Sequence, residues 1–158
     1  MEMKDLLDGL AARAGVAAGF TPDEEGVVRV DVGGCTIGFR EVPEVYGMLV
    51  YGAIGQLPAQ GADALRDELL KANFMGRATG GGTLSLSPDG VVYYHRQFDL
   101  RLVDLDGFME AFMDCVQTMV EWTRLLTAYA PVAAQRAEDE AADQTAAANL
   151  DLSGFMRV

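Results

Sequence analysis

The segment VRVDVGGCTIGF, residues 28 to 39, constrains the fold more than any other part of the sequence. Valines at 28, 30 and 32 alternate with polar residues, and apolar residues alternate again from Cys35 to Phe39. Gly33 and Gly34 lie between the two runs, and such a pair forms a two-residue turn that needs positive φ angles. The segment therefore predicts a β-hairpin with one apolar face, so the chain needs a sheet and a layer that covers it.

Two further stretches extend this sheet. Residues 47 to 56 (GMLVYGAIGQ) are apolar at both alternating sets of positions, which predicts a strand whose two faces both require cover. Leu84 and Leu86 alternate with serines, SPDG has the composition of a turn, and VVYYHRQFDLRL predicts a longer strand. The sequence thus predicts three strands followed by a second hairpin.

Three segments have helical periodicity. The first spans residues 2 to 14 and is followed by Gly15, a typical helix stop, and the second spans residues 62 to 74. The third begins after Asp104 or Asp106 and is predicted to end near Tyr129 to Pro131. The predicted order is α-βββ-α-ββ-α, an α+β fold with a twisted antiparallel sheet and helices packed against it.

The composition changes after Pro131. A chain of 158 residues suits one domain, and we place that domain at residues 1–130. Residues 131–158 are rich in alanine and acidic residues and end in NLDLSGFMRV. We interpret them as a mobile or weakly helical linker that ends in a short apolar motif.

Charge and the N-terminal sequence limit the partners and the location. Twelve basic against 24 acidic residues give a formal net charge of -12, a field that repels nucleic acid and anionic membrane surfaces. The start, MEMKDLLDGL, has acids where a signal peptide has basic residues, and no segment suits membrane insertion. Two widely separated cysteines suit a reducing compartment, so we expect a cytoplasmic protein.

Residues capable of catalysis or metal binding are few. His95 is the only histidine, so a second imidazole for a metal site or a proton relay is missing. Cys35 and Cys115 lie in apolar runs, as small hydrophobic residues do, and the glycine-rich TGGGT loop lacks the lysine of a phosphate loop. We predict no catalytic residue, no metal and no cofactor. The excess of apolar residues around strand 47–56 indicates instead a protein partner, although a buried central strand or a dimer interface would also account for it.

The run from Leu69 to Leu126 resembles the second half of class I type III secretion chaperones, the Tir chaperone (CesT) family. The resemblance rests on Leu69-Leu70 and Ala72-Asn73 at the end of a helix, Gly80-Gly81 before a hairpin, Gly90 in its turn, and Phe112 to Trp122. With the preceding α-βββ order it covers about residues 3 to 128. It implies a small acidic cytoplasmic homodimer, without catalysis or nucleotide, that holds the N-terminal segment of a secreted effector in extended form.

The resemblance also suggests where partners bind. It places the dimer interface on the second helix, with Leu65, Leu69, Asn73 and Phe74 as candidates. We expect the client, the bound effector segment, to contact the first helix and the first strands, with the following pool of candidates: Leu6, Leu10, Val30, Ile37, Phe39, Leu49 and Tyr51. Two alternatives remain open: a protein of the same fold that sequesters a regulator or another non-secreted partner, and an enzyme with an unrecognised site.

Overall fold

The structure is a computed structural model that describes residues 1–58 and 61–153, with side-chain surroundings given as far as Tyr129. Its regular elements are α1 (Met3–Ala14), β1 (Val28–Val32), β2 (Cys35–Val42), β3 (Gly47–Gln56), α2 (Asp63–Asn73), β4 (Thr83–Leu86), β5 (Val91–Asp99) and α3 (Leu105–Ser153). The strands form one antiparallel sheet in the order β1-β2-β3-β5-β4. The predicted α-βββ-α-ββ-α fold is confirmed.

The β1–β2 hairpin has the geometry that its two glycines require. Val32 pairs with Cys35, and Gly33 and Gly34 between them have φ angles of 62° and 82°. A side chain with a Cβ is strained in this left-handed region, whereas glycine is not. The turn fixes the register of the hairpin, so Ile37 and Phe39 face the same side of the sheet as the valines opposite them.

One face of the sheet carries the core, which α1 and α3 cover. Phe39 of β2 contacts Phe112 of α3 with ring centroids 5.5 Å apart, and Phe112 stacks on Phe108 at 5.8 Å. Further fully buried core side chains are Leu6, Ile37, Met48, Val50, Val92, Tyr94 and Met119. This face is complete within a single chain.

A glycine in β3 allows α3 to approach the sheet closely. A Cβ atom at Gly52 would lie 2.3 Å from Cε of Met119 and 2.8 Å from the backbone oxygen of Thr36. Neither distance is compatible with packing, so any larger residue would push the helix away from the strand. Gly52 thus allows helix–sheet contact at the centre of the strand, and Gly55, whose Cβ atom would lie 3.0 Å from Leu126, allows it nearer the end.

Two expectations from the sequence are wrong. Helix α3 continues to Ser153 instead of ending near Tyr129 to Pro131, because the alanine-rich run that follows has high helix propensity and outweighs the hydrogen bond lost at the proline. The second face of β3 is not covered by any element in residues 1–58 and 61–129. Leu49 and Tyr51 are half-buried there. The end of the apolar C-terminal motif, residues 154–158, lies outside the described residues.

Candidate protein-binding surface

Helix α2 has apolar residues on two sides. Leu65, Leu69 and Ala72 follow helical spacing and are buried in the core together with Leu84 of β4. Leu70 lies outside this stripe, and 71% of its surface is exposed. One side of α2 therefore completes the chain's own core, while the other presents an apolar side chain to the outside.

Four exposed apolar residues form what we call the α2–β4 patch. Phe74 and Met75 directly follow α2 and are 74% and 78% exposed, and Leu86 at the end of β4 is 44% exposed. Met75 has a left-handed backbone (φ 59°), which is uncommon for a residue with a side chain. Leu70, the fourth residue of the patch, and Leu86 line a cleft of about 270 Å³ between α2 and β4. The other residues that line it are Arg66, Leu69, Asn73, Leu84 and Ser85. Contiguous exposed apolar surface of this kind marks protein interfaces.

Asn73 connects α2 to β4 within the chain. Its side-chain nitrogen donates to the carbonyl oxygen of Leu84 (2.9 Å), and its side-chain oxygen accepts from the N–H of Leu84 (2.8 Å). Leu84 lies on the outer strand, and these two backbone groups point away from β5. The amide of Asn73 therefore occupies the part of the β4 edge that another strand could otherwise pair with.

The candidate dimer residues have different surroundings in the single chain. Leu65 and Leu69 are buried in its core, Asn73 is bound to β4, and Phe74 is exposed. Sequence reasoning missed Leu70, Met75 and Leu86. An apolar residue outside the buried stripe of a helix is the signal that could have identified Leu70.

The seven candidate client-binding residues do not form one surface. Leu6, Leu10, Ile37 and Phe39 are buried in the core, at 0 to 6% exposure, and Val30 is half-buried on that same face. Leu49 and Tyr51 lie on the opposite face. In this conformation Val30, Leu49 and Tyr51 are each half-buried and offer some surface to a client, and client binding by any of the seven stays a prediction.

We call the uncovered side of the sheet the open face. Tyr51 pairs with His95 of β5 and lies over Gly38 of β2, where a Cβ atom would be 2.7 Å from its ring. Leu49 pairs with Gln97. The centre of the open face thus has aromatic, aliphatic and polar side chains, and Arg40 of β2, which pairs with Leu49, adds a positive charge beside them.

The residues that could act as nucleophiles pack the core. Both cysteines are free and buried, and burial raises the pKa of Cys115. The hydroxyl of Tyr94 donates to Cys115 Sγ (3.4 Å), and burial raises the pKa of Tyr94 as well. Neutral thiol and phenol groups are poor nucleophiles, so this pair packs the core.

Within the ranges 1–58 and 61–129, no group of three or more His, Cys, Asp or Glu side chains is arranged to hold a metal ion. In the same part of the chain, no helix is both long enough and apolar enough to cross a membrane. The most strongly shifted carboxylate is Asp99, where the side-chain hydrogen bond from Arg101 (2.6 Å) lowers the pKa to about 2. That ion pair is exposed and local.

Fold and surface together define a small α+β domain with a complete core, an exposed apolar patch and an uncovered sheet face. The chain belongs to the Tir chaperone protein (CesT) family, whose family model matches residues 5–123. No curated protein matches the sequence.

Three solved structures illustrate the shared fold. A chain of the ExsC-ExsE complex is 19% identical with a TM-score of 0.66, over 80% of this chain and 97% of that one. A chain of the Yersinia pestis type III secretion chaperone SycH in complex with a stable fragment of YscM2 is 18% identical, with a TM-score of 0.60. The match covers 75% of this chain and 98% of that one. A chain of the heterodimeric ExoU-SpcU complex from the type III secretion system of Pseudomonas aeruginosa is 14% identical, with a TM-score of 0.61. The match covers 78% of this chain and 97% of that one.

Proposed function

We propose that this protein is a non-catalytic chaperone of type III secretion. It acts in the cytoplasm as a homodimer, binds the N-terminal segment of a secreted effector in extended form, and keeps that segment competent for secretion. Membership of the CesT family supports this proposal, as do the complexes of type III secretion proteins among structures of the same fold.

The observation that carries the proposal is apolar surface left outside a complete core. The α2–β4 patch is apolar although Leu65, Leu69 and Ala72 already complete the core beneath α2. A second copy of the chain is its proposed partner, because a two-fold interface requires one self-complementary patch, and Leu70 and Leu86 of this patch line an apolar cleft.

The open face is the proposed client surface. Leu49 and Tyr51 lie at its centre, and Tyr51 and His95 of the neighbouring strands provide flat contact area. An extended segment gains affinity from many small contacts spread over a large area, because ordering the segment costs entropy. Arg40, which pairs with Leu49, adds a positive charge beside this apolar centre and suits a client segment that carries an acidic or polar residue there.

Co-expression with the N-terminal half of the polypeptide encoded beside this chain's gene tests the proposal. We expect the two to co-purify, and the C-terminal half of the same polypeptide, as a control, to remain unbound. Binding of neither half, with no effect of deleting the chain on secretion of that polypeptide, would contradict the proposed function.

A pair of substitutions separates the open face from the core. Leu49→Asp is expected to leave the fold intact and weaken client binding about tenfold or more, because it places a charge in an apolar contact. Ile37→Asp is expected to unfold the chain, because Ile37 is fully buried. Calorimetric titration and circular dichroism measure both effects. Unchanged binding by Leu49→Asp would move the client site away from the open face.

A further inference from the structure

Strand β1 lies at the opposite end of the sheet from β4. It comes first in the order β1-β2-β3-β5-β4, and in the part of the chain that the structure describes it pairs with β2 alone. We call its outer side the β1 edge. An unpaired strand edge can bind another strand unless the protein covers it.

The register of the hairpin shows which backbone groups point out of the β1 edge. Val32 and Cys35 close the two-residue turn and form a hydrogen-bonded pair. By alternation, Arg29 and Asp31 form non-hydrogen-bonded pairs with β2, so their N–H and C=O groups point outwards.

Val27, the outward residue just before β1, is covered by its own chain. Its N–H donates to the Asp23 side chain (2.9 Å), and its C=O accepts from the Asp23 N–H (2.9 Å). The outward groups of Arg29 and Asp31 have no such partner among residues 1–58 and 61–129. The β1 edge is therefore closed at Val27 and open at residues 29 and 31.

The side chains at the two open positions carry opposite charges. Arg29 and Asp31 are exposed on the open face, whereas Val30 between them is half-buried on the core side. In an antiparallel pair of two copies with a two-fold axis at Val30, Arg29 of each copy lies directly opposite Asp31 of the other. Residues with outward backbone groups then also face each other, so hydrogen bonds and ion pairs form in the same register.

The neighbouring two-fold registers are unfavourable. An axis at Arg29 places two arginines opposite each other, and an axis at Asp31 does the same with two carboxylates. Like charges directly opposite each other destabilise a strand pair. Of these three registers, only the one centred on Val30 pairs opposite charges, so the β1 edge is complementary to a second copy in one register.

Contacts within the chain hold both charged side chains at the edge. Arg29 forms an ion pair with Asp23 and lies 4.0 Å from Glu25, and the Thr36 hydroxyl donates to Asp31 (2.6 Å). A guanidinium has five N–H donors and a carboxylate has two acceptor oxygens. Each side chain therefore keeps capacity for a partner on a second copy.

Apolar residues flank the same edge on the core side. Val116 and Val120 of α3 lie 3.5 and 3.2 Å from the position of a Cβ atom at Gly33, in the turn that follows β1. Met113 lies on the same side of the helix as these valines, by helical spacing, and is 55% exposed. A second strand at the β1 edge covers Val30 and approaches Met113, so pairing also buries apolar surface.

We propose that two copies of this chain pair through their β1 edges, around a two-fold axis at Val30, and form one continuous sheet. The contact is distinct from the α2–β4 patch at the other end of the sheet, so it joins homodimers into larger assemblies. The open faces of both copies lie on the same side of the joined sheet, because directly opposite residues of a strand pair face the same side. The inference concerns the free chain and does not rest on the proposed function.

The contact is weak, because β1 has only five residues. We expect a dissociation constant on the order of 0.1–1 mM, typical of a small interface. The pairing therefore adds to the homodimer only well above micromolar concentration.

Charge reversal tests the register. Arg29→Asp and Asp31→Arg each place like charges opposite each other on both sides of the axis, and we expect each to weaken the association about tenfold or more. The combined variant keeps the net charge of the wild type and restores opposite pairs, as does an equimolar mixture of the two single variants, so both should associate like the wild type. Arg40→Asp makes the same charge change on β2 and is the control, expected to associate normally. Sedimentation equilibrium up to about 1 mM measures the association, and circular dichroism checks the fold.

Hydrogen exchange locates the contact. The amides of Arg29 and Asp31 are expected to become more protected as the concentration of the free protein rises. The inference is overturned if the wild type shows no association beyond the homodimer, or if neither the combined variant nor the mixture restores what the single variants lose. Protection that appears only after the polypeptide encoded beside this chain's gene is added would mean that a client strand occupies the edge, which also overturns it. The proposed function stands in each of these cases.

Discussion

Single residues decide which edges and faces of this protein are available to partners. Asn73 is an example, because its one amide satisfies both the N–H and the C=O of Leu84 and so closes the edge of β4. The sequence resemblance placed Asn73 at a dimer interface. A single sequence could not reveal the contact with β4, because the partner lies 11 residues away across an irregular loop.

Loss of the Asn73 amide is expected to destabilise the chain. Asn73→Ala leaves the two backbone groups of Leu84 without a protein partner, which should lower the free energy of unfolding by about 1–3 kcal/mol. Urea denaturation followed by circular dichroism measures the change. Lys71→Ala, on the exposed side of the same helix, is the control and is expected to change stability by less than about 0.5 kcal/mol. An equal effect of the two substitutions would show that the contact between Asn73 and β4 contributes nothing measurable.

At the scale of elements, α2 combines two roles in 11 residues. Its inner stripe completes the core, and its outer side continues into Phe74 and Met75, which are exposed. The left-handed backbone at Met75 turns the chain immediately after the helix and keeps both side chains outside the core. An element that projects apolar residues from a finished core is suited to assembly with a second copy.

Charge in the α2–β4 patch is expected to separate the dimer. Phe74→Asp introduces two carboxylates into a two-fold interface, one from each copy, and desolvating them is costly. Light scattering should then give the 16.9 kDa of one chain, against twice that mass for the wild type. Leu102→Asp is the control, because Leu102 is 85% exposed but lies away from the patch. A wild type that already scatters as a single chain at micromolar concentration would contradict the proposed homodimer.

The order of elements was predictable from the sequence, but the faces of the strands were not. A glycine pair such as Gly33 and Gly34 indicates a tight turn with positive φ angles, and helical spacing differs from strand alternation. The types and approximate bounds of the elements therefore follow from the sequence. In GMLVYGAIGQ both alternating sets are apolar, so alternation cannot decide whether Leu49 or Val50 faces the core. That is why the predicted client pool mixed the two faces of the sheet. The end of α3 was missed because proline and alanine give opposite signals at residues 131 to 134.

At the scale of the whole molecule, core and charge are distributed differently along the chain. Within the described side chains the buried core reaches from Leu6 to Leu126, with Tyr129 packed against it. Residues 131–158 contain five acidic residues and two arginines, which gives this segment a net charge of -3. The net charge of the whole chain is -12, so the remainder carries -9. The domain boundary at residue 130 falls inside α3, which continues to Ser153, and it stays a prediction.

Deletion of residues 131–158 is expected to leave the domain folded. Because the deletion removes none of the buried core side chains described here, the free energy of unfolding should change by less than about 0.5 kcal/mol, as for surface changes in general. Thermal and urea denaturation of the truncated and full-length proteins measure this change. A second truncation, after Leu125, is the comparison. It removes the buried Leu126 and should lower the free energy of unfolding by about 2–5 kcal/mol. The loss of three net negative charges also slightly reduces self-repulsion in the folded state, so any small change should be towards higher stability. A clear loss of stability on deleting residues 131–158 would mean that the segment packs on the domain and that the boundary at residue 130 is misplaced.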